Sequence, residues 1–338
     1  MSGKPILEVR GLKKHFGARK GMFGEKTTVK AVDGVSFSVM PNESFAVVGE
    51  SGCGKTTLGK LVLALEKPTE GQVFFDGVDM ATMSGSALRK LRREMQVIFQ
   101  DPYSSLNPRM TVEDIITEPW VIHGMHKDPA ERAKKLAKLL EDCGIARTYL
   151  PRHPHEFSGG QRQRVGIARA LALDPRLVVA DEPVSALDVS IQAQILNLLK
   201  DLQKERNLAY LFISHDFSVV RHLCTKIAVM YLGRVVETAD SETLFNDPQH
   251  PYTEALLSAV PVPDPSVEKR RKRILLTGDV PSPLKPPPGC RFHPRCRYLR
   301  DSCRVNDQAL LEAKPDHFAA CEVLPFKEKS SAAALVSL

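Results

Sequence analysis

Short apolar runs bounded by turn residues alternate along the chain with segments of helical periodicity. Residues 6–12 and 30–49 are rich in Val and Phe and predict β-strands. A glycine-rich loop at 49–54 follows, and apolar residues then return at the spacing of a helix face, at Leu58, Leu61, Val62 and Leu65. From 86 to 145 the pattern is mainly helical, with a strand-like interruption at 96–99.

A second group of strands and helices follows a long helical stretch that begins after Ser158. The apolar run 177–180 leads directly into two acidic residues, which is typical of a buried parallel strand whose carboxyl end carries chemistry. The pattern then predicts a helix at about 190–206, a strand at 209–214 and a β pair around 226–239. Strands that alternate with helices in this way predict an α/β core with a mainly parallel sheet.

The composition changes near residue 260, where prolines become frequent on both sides of a basic run at 269–273. We interpret 261–289 as a Pro-rich, basic linker rather than a packed core. A Cys-rich region at 290–325 follows, and 326–338 is predicted to be a disordered tail. The basic run is interpreted as a solvated part of the linker and by itself identifies no partner.

Length and composition are those of an ordinary globular protein. The chain has 338 residues, of which 43% are hydrophobic and 26% are charged. No apolar stretch approaches the roughly 18 residues that a membrane span requires. The first residues lack the apolar core of a secretory signal, so we expect the chain to stay in the cytoplasm. The net charge of +7 is compatible with an anionic leaflet or nucleic acid but indicates neither.

The segment GESGCGKT at 49–56 matches the pattern G-x-x-x-x-G-K-S/T between a predicted strand and a predicted helix. In this pattern successive backbone N–H groups and the helix N-terminus bind phosphate oxygens. Lys55 is expected to reach the β and γ phosphates, and the Thr56 hydroxyl to hold Mg²⁺. Cys53 is interpreted as a spacer. The predicted ATP contacts of this loop are Gly49, Ser51, Gly52, Cys53, Gly54, Lys55, Thr56 and Thr57.

Two carboxylates follow the apolar strand at 177–180. Asp181 is predicted to hold Mg²⁺ as the acidic partner of the phosphate loop. Glu182 is placed to polarise the attacking water as a general base. An apolar run with two acids is weak evidence alone, but its position after a phosphate loop strengthens it.

A second helix start of the anion-binding type begins at Ser158, in the segment FSGGQRQR at 157–164. Ser158 is a good N-cap, and the two glycines after it permit a turn. Such a helix start also has unpaired N–H groups and the positive end of the helix dipole. Two phosphate-binding helix starts in one chain suggest that two chains share each nucleotide.

In this order the motifs resemble those of ATP-binding cassette (ABC) ATPases. The resemblance implies a P-loop NTPase cassette at 1–260, with a mainly parallel sheet, an antiparallel β subdomain and a helical subdomain at about 101–165. It identifies Gln100 as the glutamine loop and His215 as the switch histidine. The aromatic residue that stacks on adenine is Phe16 or, after an insertion, Phe23. The remaining motif residues implied to contact ATP are Ser158, Gly159, Gly160, Gln161 and Asp188, the last in a loop that communicates between subunits.

The mechanism that this resemblance implies is a head-to-tail closure of two cassettes around ATP. Glu182, His215 and Gln100 would be the catalytic residues, with His215 aligning Glu182 and the attacking water. Gln100 would join Thr56 and Asp181 around Mg²⁺ and transmit closure to a membrane partner. Donors on both sides of the γ-phosphate would stabilise charge in the transition state.

Three further segments resemble the ATPase subunits of bacterial dipeptide and oligopeptide importers, notably the second ATPase of the dipeptide systems. They are QDPYSSLNPR at 100–109, HPYT at 250–253 and the Pro-rich stretch at 281–290. The resemblance implies two membrane permease subunits, a heterodimer with a second ABC ATPase, and an external substrate-binding protein as an indirect partner. It implies a peripheral location on the cytoplasmic face of the inner membrane and no nucleic-acid partner.

Cys290, Cys296, Cys303 and Cys321 have the spacing C-x₅-C-x₆-C-x₁₇-C. In a reducing cytoplasm such a group favours metal ligation over disulfides. The spacing matches neither the usual zinc knuckle nor the common ferredoxin pattern. The resemblance to peptide-importer ATPases implies a 4Fe–4S cluster with a structural role; zinc and no metal remain the alternatives. His293 could substitute for a cysteine ligand, but we expect it to be a surface residue.

Two other functions fit parts of the sequence. A soluble ABC ATPase that acts on ribosomes or DNA usually has two fused cassettes or a long coiled coil, and neither pattern occurs in this sequence. An importer of another cargo, such as haem or a nickel complex, fits the same subgroup of ABC ATPases with a Cys-rich tail. The cargo is determined by subunits that this chain does not encode.

Overall fold

The computed structural model describes residues 3–19, 26–261 and 272–323. Phe23, most of the basic run at 269–273 and the tail predicted at 326–338 lie outside these residues. Within the described ranges, we find no helix whose length and apolar character would let it cross a membrane.

Strands and helices alternate through the chain as the hydrophobic pattern predicts. The strands are β1 (Leu7–Arg19), β2 (Lys26–Val39), β3 (Ser44–Val48), β4 (Glu70–Phe75), β5 (Val78–Asp79), β6 (Met95–Ile98), β7 (Leu177–Asp181), β8 (Ala209–Ser214), β9 (Lys226–Tyr231), β10 (Arg234–Asp240), β11 (Leu311–Lys314) and β12 (His317–Ala319). The helices are α1 (Lys55–Val62), α2 (Gly85–Leu91), α3 (Pro102–Ser105), α4 (Val112–His123), α5 (Pro129–Asp142), α6 (Gly159–Leu171), α7 (Val189–Arg206), α8 (Phe217–Leu223), α9 (Ser241–Asn246) and α10 (Pro251–Ser258).

The chain forms two compact units, each built from segments that are distant in sequence. Unit 1 comprises Met1–Ile6, Val39–Glu43 and Phe75–Ile213. Unit 2 comprises Leu7–Ser38, Ser44–Phe74 and Ser214–Leu338. The Cys-rich region predicted after the linker therefore belongs to the same unit as the segment that contains the phosphate loop.

Unit 1 contains the parallel strands β6, β7 and β8. Met95 pairs with Leu177 at the start of β6 and β7, and Leu177 pairs in turn with Ala209 of β8. All residues of β8 and the first four of β7 are buried, as expected for parallel strands covered on both faces. The acidic end of β7 is only partly buried, so chemistry-bearing side chains stand at the carboxyl edge of this sheet.

The helices of unit 1 include α3 to α6, which fall largely in the stretch predicted as a helical subdomain. The helix α4 begins with a capping box between Thr111 and Asp114 and ends at Gly124, whose φ of 65° is the left-handed conformation that suits glycine. It packs against α6. The buried indole N–H of Trp120 in α4 donates to the carbonyl oxygen of Ala172, 2.5 Å away and just past the end of α6.

Unit 2 contains two groups of strands. One has the order β2-β1-β4, and the other has the order β3-β9-β10-β12-β11. The strands β3 and β9 are parallel, whereas β10, β12 and β11 extend them in antiparallel fashion. The sheet is therefore mixed within this unit. The hydrophobic pattern does not predict β4, because half of its residues are exposed.

The Cys-rich region is a small loop-rich extension of unit 2. Short 3₁₀ turns at His293–Arg295 and Asp301–Arg304 precede the hairpin β11–β12. This hairpin is not predicted from the sequence; it adds to β10 through the pairs Glu237↔Ala319 and Thr238↔Phe318. Buried Glu237 accepts a hydrogen bond from His317 of β12 at 2.7 Å, which fixes the hairpin to the sheet.

Candidate functional site

The glycine-rich loop connects the buried strand β3 to the helix α1, as the phosphate-loop pattern predicts. A Cβ atom on Gly54 would lie 2.0 Å from the carbonyl oxygen of Ala31, and the φ of Gly54 is +109°. A Cβ atom on Gly49 would lie 2.2 Å from the carbonyl oxygen of Met230. Glycine is therefore required at both ends of the loop by close backbone packing.

Lys55 is buried, and its ammonium group folds back onto the loop. Its Nζ donates to the carbonyl oxygens of Gly49 at 2.8 Å and Glu50 at 3.0 Å. These contacts occupy donors that a phosphate group would accept from. Thr56 at the start of α1 is exposed and Thr57 is half-buried, while Ser51 and Gly52 are exposed in the loop.

Cys53 is buried inside the loop. Burial raises the pKa of its thiol, so the side chain stays neutral and acts as a packing group. Its backbone N–H donates to the carbonyl oxygen of Glu50 at 3.3 Å and thereby closes the turn. This agrees with its interpretation as a spacer.

Unit 1 brings Gln100 and Glu182 together, although 82 residues separate them in sequence. The amide Nε2 of Gln100, which follows β6, donates to Oε2 of Glu182 at 2.8 Å. Glu182 follows β7 with a φ of 46°, a conformation that non-glycine residues rarely adopt, and its N–H donates to the carbonyl oxygen of Ile213. Asp181, the last residue of β7, is half-buried. The predicted general base Glu182 and the predicted glutamine-loop residue Gln100 are thus direct hydrogen-bond partners.

The segment from Ser158 to Gln161 forms the N-terminus of α6 in unit 1. Ser158 Oγ accepts from the N–H of Gln161 at 3.4 Å, and Gln161 Oε1 accepts from the N–H of Ser158 at 3.0 Å, which is a capping box. Ser158 is exposed, and Gly159 and Gly160 pack against Leu187 and Ile191 around the start of α7. Asp188, the exposed N-cap of α7, lies between those two residues in sequence.

Two predicted site residues lie elsewhere in unit 2. His215 is exposed directly after β8 and precedes the N-cap Asp216 of α8. Phe16 on β1 has 40% of its surface exposed, and Lys14 Nζ lies 4.9 Å from the centre of its ring. An accessible ring of this kind is suited to stacking on a base. The other candidate, Phe23, is outside the described residues.

Two contacts to the phosphate loop, both made to Glu50, are missing from the sequence prediction. Glu50, the second residue of the loop, accepts two hydrogen bonds from Arg295 of the Cys-rich extension. The N–H of Glu50 donates to the hydroxyl of Tyr252 in α10 at 3.0 Å. Neither contact has a local sequence signal, because each joins residues that are more than 200 positions apart.

Four cysteines of the extension line one small cavity. Its walls include Cys290, Cys296, Cys303 and Cys321, together with His250 and His293. His293 is buried, so the expectation that it is a surface residue is wrong. Burial, reinforced by the neighbouring thiols, raises the pKa of Cys290 to about 11 and that of Cys321 to about 12. Within the described ranges, no three His, Cys, Asp or Glu side chains form a group that could hold a metal ion. Among the described residues, the four thiols therefore line one cavity without forming a metal-binding group.

Comparison with known families gives two matches along the chain. The family model described as ABC transporter matches residues 32–185. A second model, described as the oligopeptide/dipeptide transporter C-terminal region, matches residues 236–303. The second match includes Cys290, Cys296 and Cys303 but ends before Cys321.

Curated relatives are similar over nearly the whole chain. The oligopeptide transport ATP-binding protein AppF of Bacillus subtilis is 52% identical, over 94% of this chain and 97% of its own length. The putative oligopeptide transport ATP-binding protein YkfD of the same organism is also 52% identical, with 94% and 95% covered. The dipeptide transport ATP-binding protein DppF of Haemophilus influenzae is 48% identical, with 94% and 96% covered.

Solved structures share the fold of the larger part of the chain. The protein cbiO1 from Clostridium perfringens, part of the ABC transporter complex cbiONQ, has a TM-score of 0.63 and 28% identity, over 72% of this chain and 92% of its own. The ATP-binding cassette MJ0796, solved as a dimer bound to ADP and Pi, has a TM-score of 0.62 and 28% identity, over 70% of this chain and 98% of its own.

Proposed function

The chain belongs to the ABC transporter family, among relatives named as oligopeptide and dipeptide transport ATP-binding proteins, and from this membership we propose that it hydrolyses ATP to power peptide import. One observation carries the proposal: a single chain matches both the ABC transporter model and the oligopeptide/dipeptide C-terminal model. An ABC ATPase that acts on ribosomes or DNA would require only the first match.

In the proposed reaction, unit 2 supplies the groups that bind the nucleotide phosphates. Backbone N–H groups from Gly49 to Thr57 bind the phosphate oxygens, and Lys55 exchanges its two loop carbonyls for the β and γ phosphates. Phe16 stacks on the adenine. The proposed Mg²⁺ ligand in this unit is the Thr56 hydroxyl, and those in unit 1 are the Asp181 carboxylate and the Gln100 amide oxygen; each is the ligand type that Mg²⁺ prefers.

Glu182 is the proposed general base, and its hydrogen bond from Gln100 supports this role. A neutral amide donor orients the carboxylate without supplying a proton that would neutralise it. The left-handed backbone at Glu182 is an independent sign of a functional position. His215, which lies in unit 2, is proposed to contact the γ-phosphate of bound ATP.

Ser158, Gly159, Gly160 and Gln161 are proposed to bind the γ-phosphate of ATP held by a second cassette. The exposed N-cap hydroxyl and the N-terminus of a thirteen-residue helix suit this role. The dimeric cassette MJ0796, whose fold is similar, supports a paired arrangement. Asp188 is proposed to contact ATP and to belong to a loop that communicates between the two cassettes. We propose a heterodimer with a related ATPase, bound to two permease subunits at the cytoplasmic face of the inner membrane.

The catalytic proposal is tested with Glu182→Gln in the full-length chain. Loss of a general base is expected to lower the ATPase rate by about 100-fold or more, since proton transfer by a positioned base contributes 10²–10⁴-fold. Binding of Mg·ATP should remain, because the phosphate loop is unchanged. The matched control is Glu242→Gln, an exposed glutamate in the first turn of α9, which should keep the rate. An unchanged rate in Glu182→Gln would refute its role.

The transport proposal is tested by purifying Glu182→Gln with Mg·ATP from detergent-solubilised membranes and identifying the proteins that accompany it. Two multispanning permeases and a second cassette ATPase are the expected companions. Ribosomal or DNA-repair proteins without a membrane subunit would contradict the transport function and leave the ATPase assignment intact. Two multispanning permeases with no second ATPase would contradict the heterodimer only.

A 4Fe–4S cluster held by Cys290, Cys296, Cys303 and Cys321 is a further part of the proposal. The support is that all four thiols line one cavity. Such a group would supply folding energy to an extension whose core is small.

Iron and acid-labile sulfide are measured in the full-length chain purified without oxygen. About four of each per chain are expected from a cubane cluster. Cys303→Ala should lose them, whereas Cys224→Ala, which removes a buried thiol outside the cavity, should retain them. If zinc is bound in place of iron, the cysteines form a zinc site and the cluster proposal is wrong. If neither iron nor zinc is bound, the proposal that the cysteines bind a metal is wrong.

A further inference from the structure

The segment from Cys290 to Cys296 joins the thiol cavity to the phosphate loop. Its terminal cysteines line the cavity. Between them, Arg291 donates to the carboxylate of Asp33, and Arg295 donates to the carboxylate of Glu50. Because its cysteines line the thiol cavity and its Arg295 binds Glu50 of the phosphate loop, this segment contacts both sites within unit 2.

The pair Arg295–Glu50 has the geometry of a strong ion pair. Arg295 donates through Nη1 to Oε2 of Glu50 at 2.7 Å and through Nη2 to Oε1 at 3.1 Å, which is the two-point arrangement of guanidinium with carboxylate. Only 7% of the Arg295 side chain is exposed, and 27% of that of Glu50. Such a pair is screened much less than a surface pair and positions both partners.

Glu50 is held at every polar group that it has. In addition to the ion pair, its N–H donates to the hydroxyl of Tyr252, and its carbonyl oxygen accepts from Lys55. The Tyr252 ring lies 5.4 Å from that of Phe292, centre to centre, so the segment that carries Arg295 also supports the second anchor. The conformation of the loop at Glu50 is therefore set by residues outside the loop.

The charge of Glu50 makes the pair matter for ligand binding. A carboxylate within a loop that takes up phosphates repels them unless a cation neutralises it. Arg295 supplies that cation from a largely buried position, where its charge is not dissipated by water. Removal of Arg295 would leave one uncompensated negative charge in the loop and would release the Glu50 side chain.

We propose that Arg295 is a positioning residue of the nucleotide site: it fixes and neutralises Glu50, so that the Cys-rich extension is a working part of the phosphate loop. This inference rests on the proposed function, since it assumes that the loop binds nucleotide. Arg295 itself contacts the loop through Glu50 and acts on the nucleotide only through it.

The test is a double-mutant cycle on the full-length chain, with Mg·ADP affinity measured by titration of a fluorescent ADP analogue. Arg295→Gln is expected to weaken binding by roughly 3- to 30-fold, because it leaves a partly buried carboxylate unpaired. Glu50→Gln alone removes the negative charge together with the ion pair, so it should weaken binding less than Arg295→Gln does. The double variant Arg295→Gln/Glu50→Gln should bind within about 3-fold of the wild type, since removal of both partners of a buried pair is nearly neutral.

If adding Glu50→Gln restores the ADP affinity of the Arg295→Gln variant, the loss of affinity comes from the unpaired Glu50 and not from damage to the fold. The matched control is Arg206→Gln, which breaks a buried Arg–carboxylate pair with Asp142 in unit 1 and should lower stability without changing ADP affinity. If Arg295→Gln binds as tightly as the wild type, or if Glu50→Gln does not restore its affinity, the inference is wrong and the proposed function stands. If the wild type itself fails to bind ADP, both are overturned.

Discussion

The contact between Gly160 of α6 and Ile191 of α7 gives a sharp test of how closely these helices must approach. A Cβ atom at position 160 would lie 2.4 Å from Cγ2 of Ile191, a separation that real Cβ contacts essentially never show. Gly160→Ala therefore forces the two helices apart or drives Ile191 out of its rotamer. We expect this variant to have a lower free energy of unfolding than the wild type.

The expected size of the loss follows from two opposing effects. Alanine is favoured over glycine in a helix by about 0.5–1 kcal/mol. Overpacking of a well-packed contact costs about 1–3 kcal/mol. Taken at the middle of both ranges, the net loss for Gly160→Ala is about 1 kcal/mol. Gly166 lies in the same helix, and its added Cβ would meet no atom within 4 Å. Gly166→Ala should therefore stabilise the chain by up to about 1 kcal/mol.

Urea unfolding followed by tryptophan fluorescence is the appropriate assay. Trp120 is the chain's single tryptophan, it is fully buried in α4, and its indole N–H bonds to Ala172 just past the end of α6. Its fluorescence therefore reports on the packing of the helix that carries Gly160. The midpoint and the slope of the transition together give the change in free energy.

Substitutions at Ile191 identify the clash as the cause. Ile191→Val keeps Cγ2, so Gly160→Ala should remain as damaging in that background. Ile191→Ala removes Cγ2 and leaves Cβ at 3.7 Å, an ordinary contact, so Gly160→Ala should then cost less than about 0.5 kcal/mol. A Gly160→Ala variant as stable as the wild type, or equally destabilised in both backgrounds, would refute the packing argument.

Three other substitutions test separate features. Ser158→Ala removes the N-cap of α6 and should lower the free energy of unfolding, measured in urea, by about 1 kcal/mol. Ser158→Asn should have nearly the stability of the wild type, because asparagine is also a good N-cap. Burial would raise the pKa of Asp33, but hydrogen bonding from His15 and the guanidinium of Arg291 hold this pKa at about 2. The Asp33 carboxylate therefore stabilises the fold above pH 4, and this stabilisation is lost as the pH falls towards 2. Asp33→Asn should therefore lose about 2 kcal/mol at pH 7, and the difference from the wild type in circular-dichroism melts should shrink below pH 4. Gly54→Ala places a Cβ where a carbonyl oxygen lies and requires an unfavourable φ, so the affinity for a fluorescent ADP analogue should fall by at least about 10-fold, and an unchanged affinity would contradict the loop assignment.

The sequence by itself determined the local features of this protein. Apolar runs of strand length predicted β3, β7 and β8, and helical spacing predicted α1 and α7, because burial on one or both faces imposes a period on neighbouring residues. The phosphate-loop pattern needs no distant partner to be recognised, since its glycines and its lysine are adjacent. The match of the chain to the ABC transporter model agrees with that interpretation.

The sequence was less informative where an element is partly exposed or has an irregular pattern. It did not predict β4, whose first three residues are exposed, or the hairpin β11–β12, whose first strand has no buried residue. These strands form because an existing sheet edge offers hydrogen bonds, and such pairing leaves little periodicity in the sequence.

The tertiary structure decided which residues meet. The partners Gln100 and Glu182 are 82 residues apart, and Glu50 and Arg295 are 245 apart. Long-range contacts of this kind arise from chain topology, and a single sequence has no local signal for them. The same holds for the four thiols: their spacing left the ligand open, and only the fold placed them around one cavity, next to the segment that binds the phosphate loop.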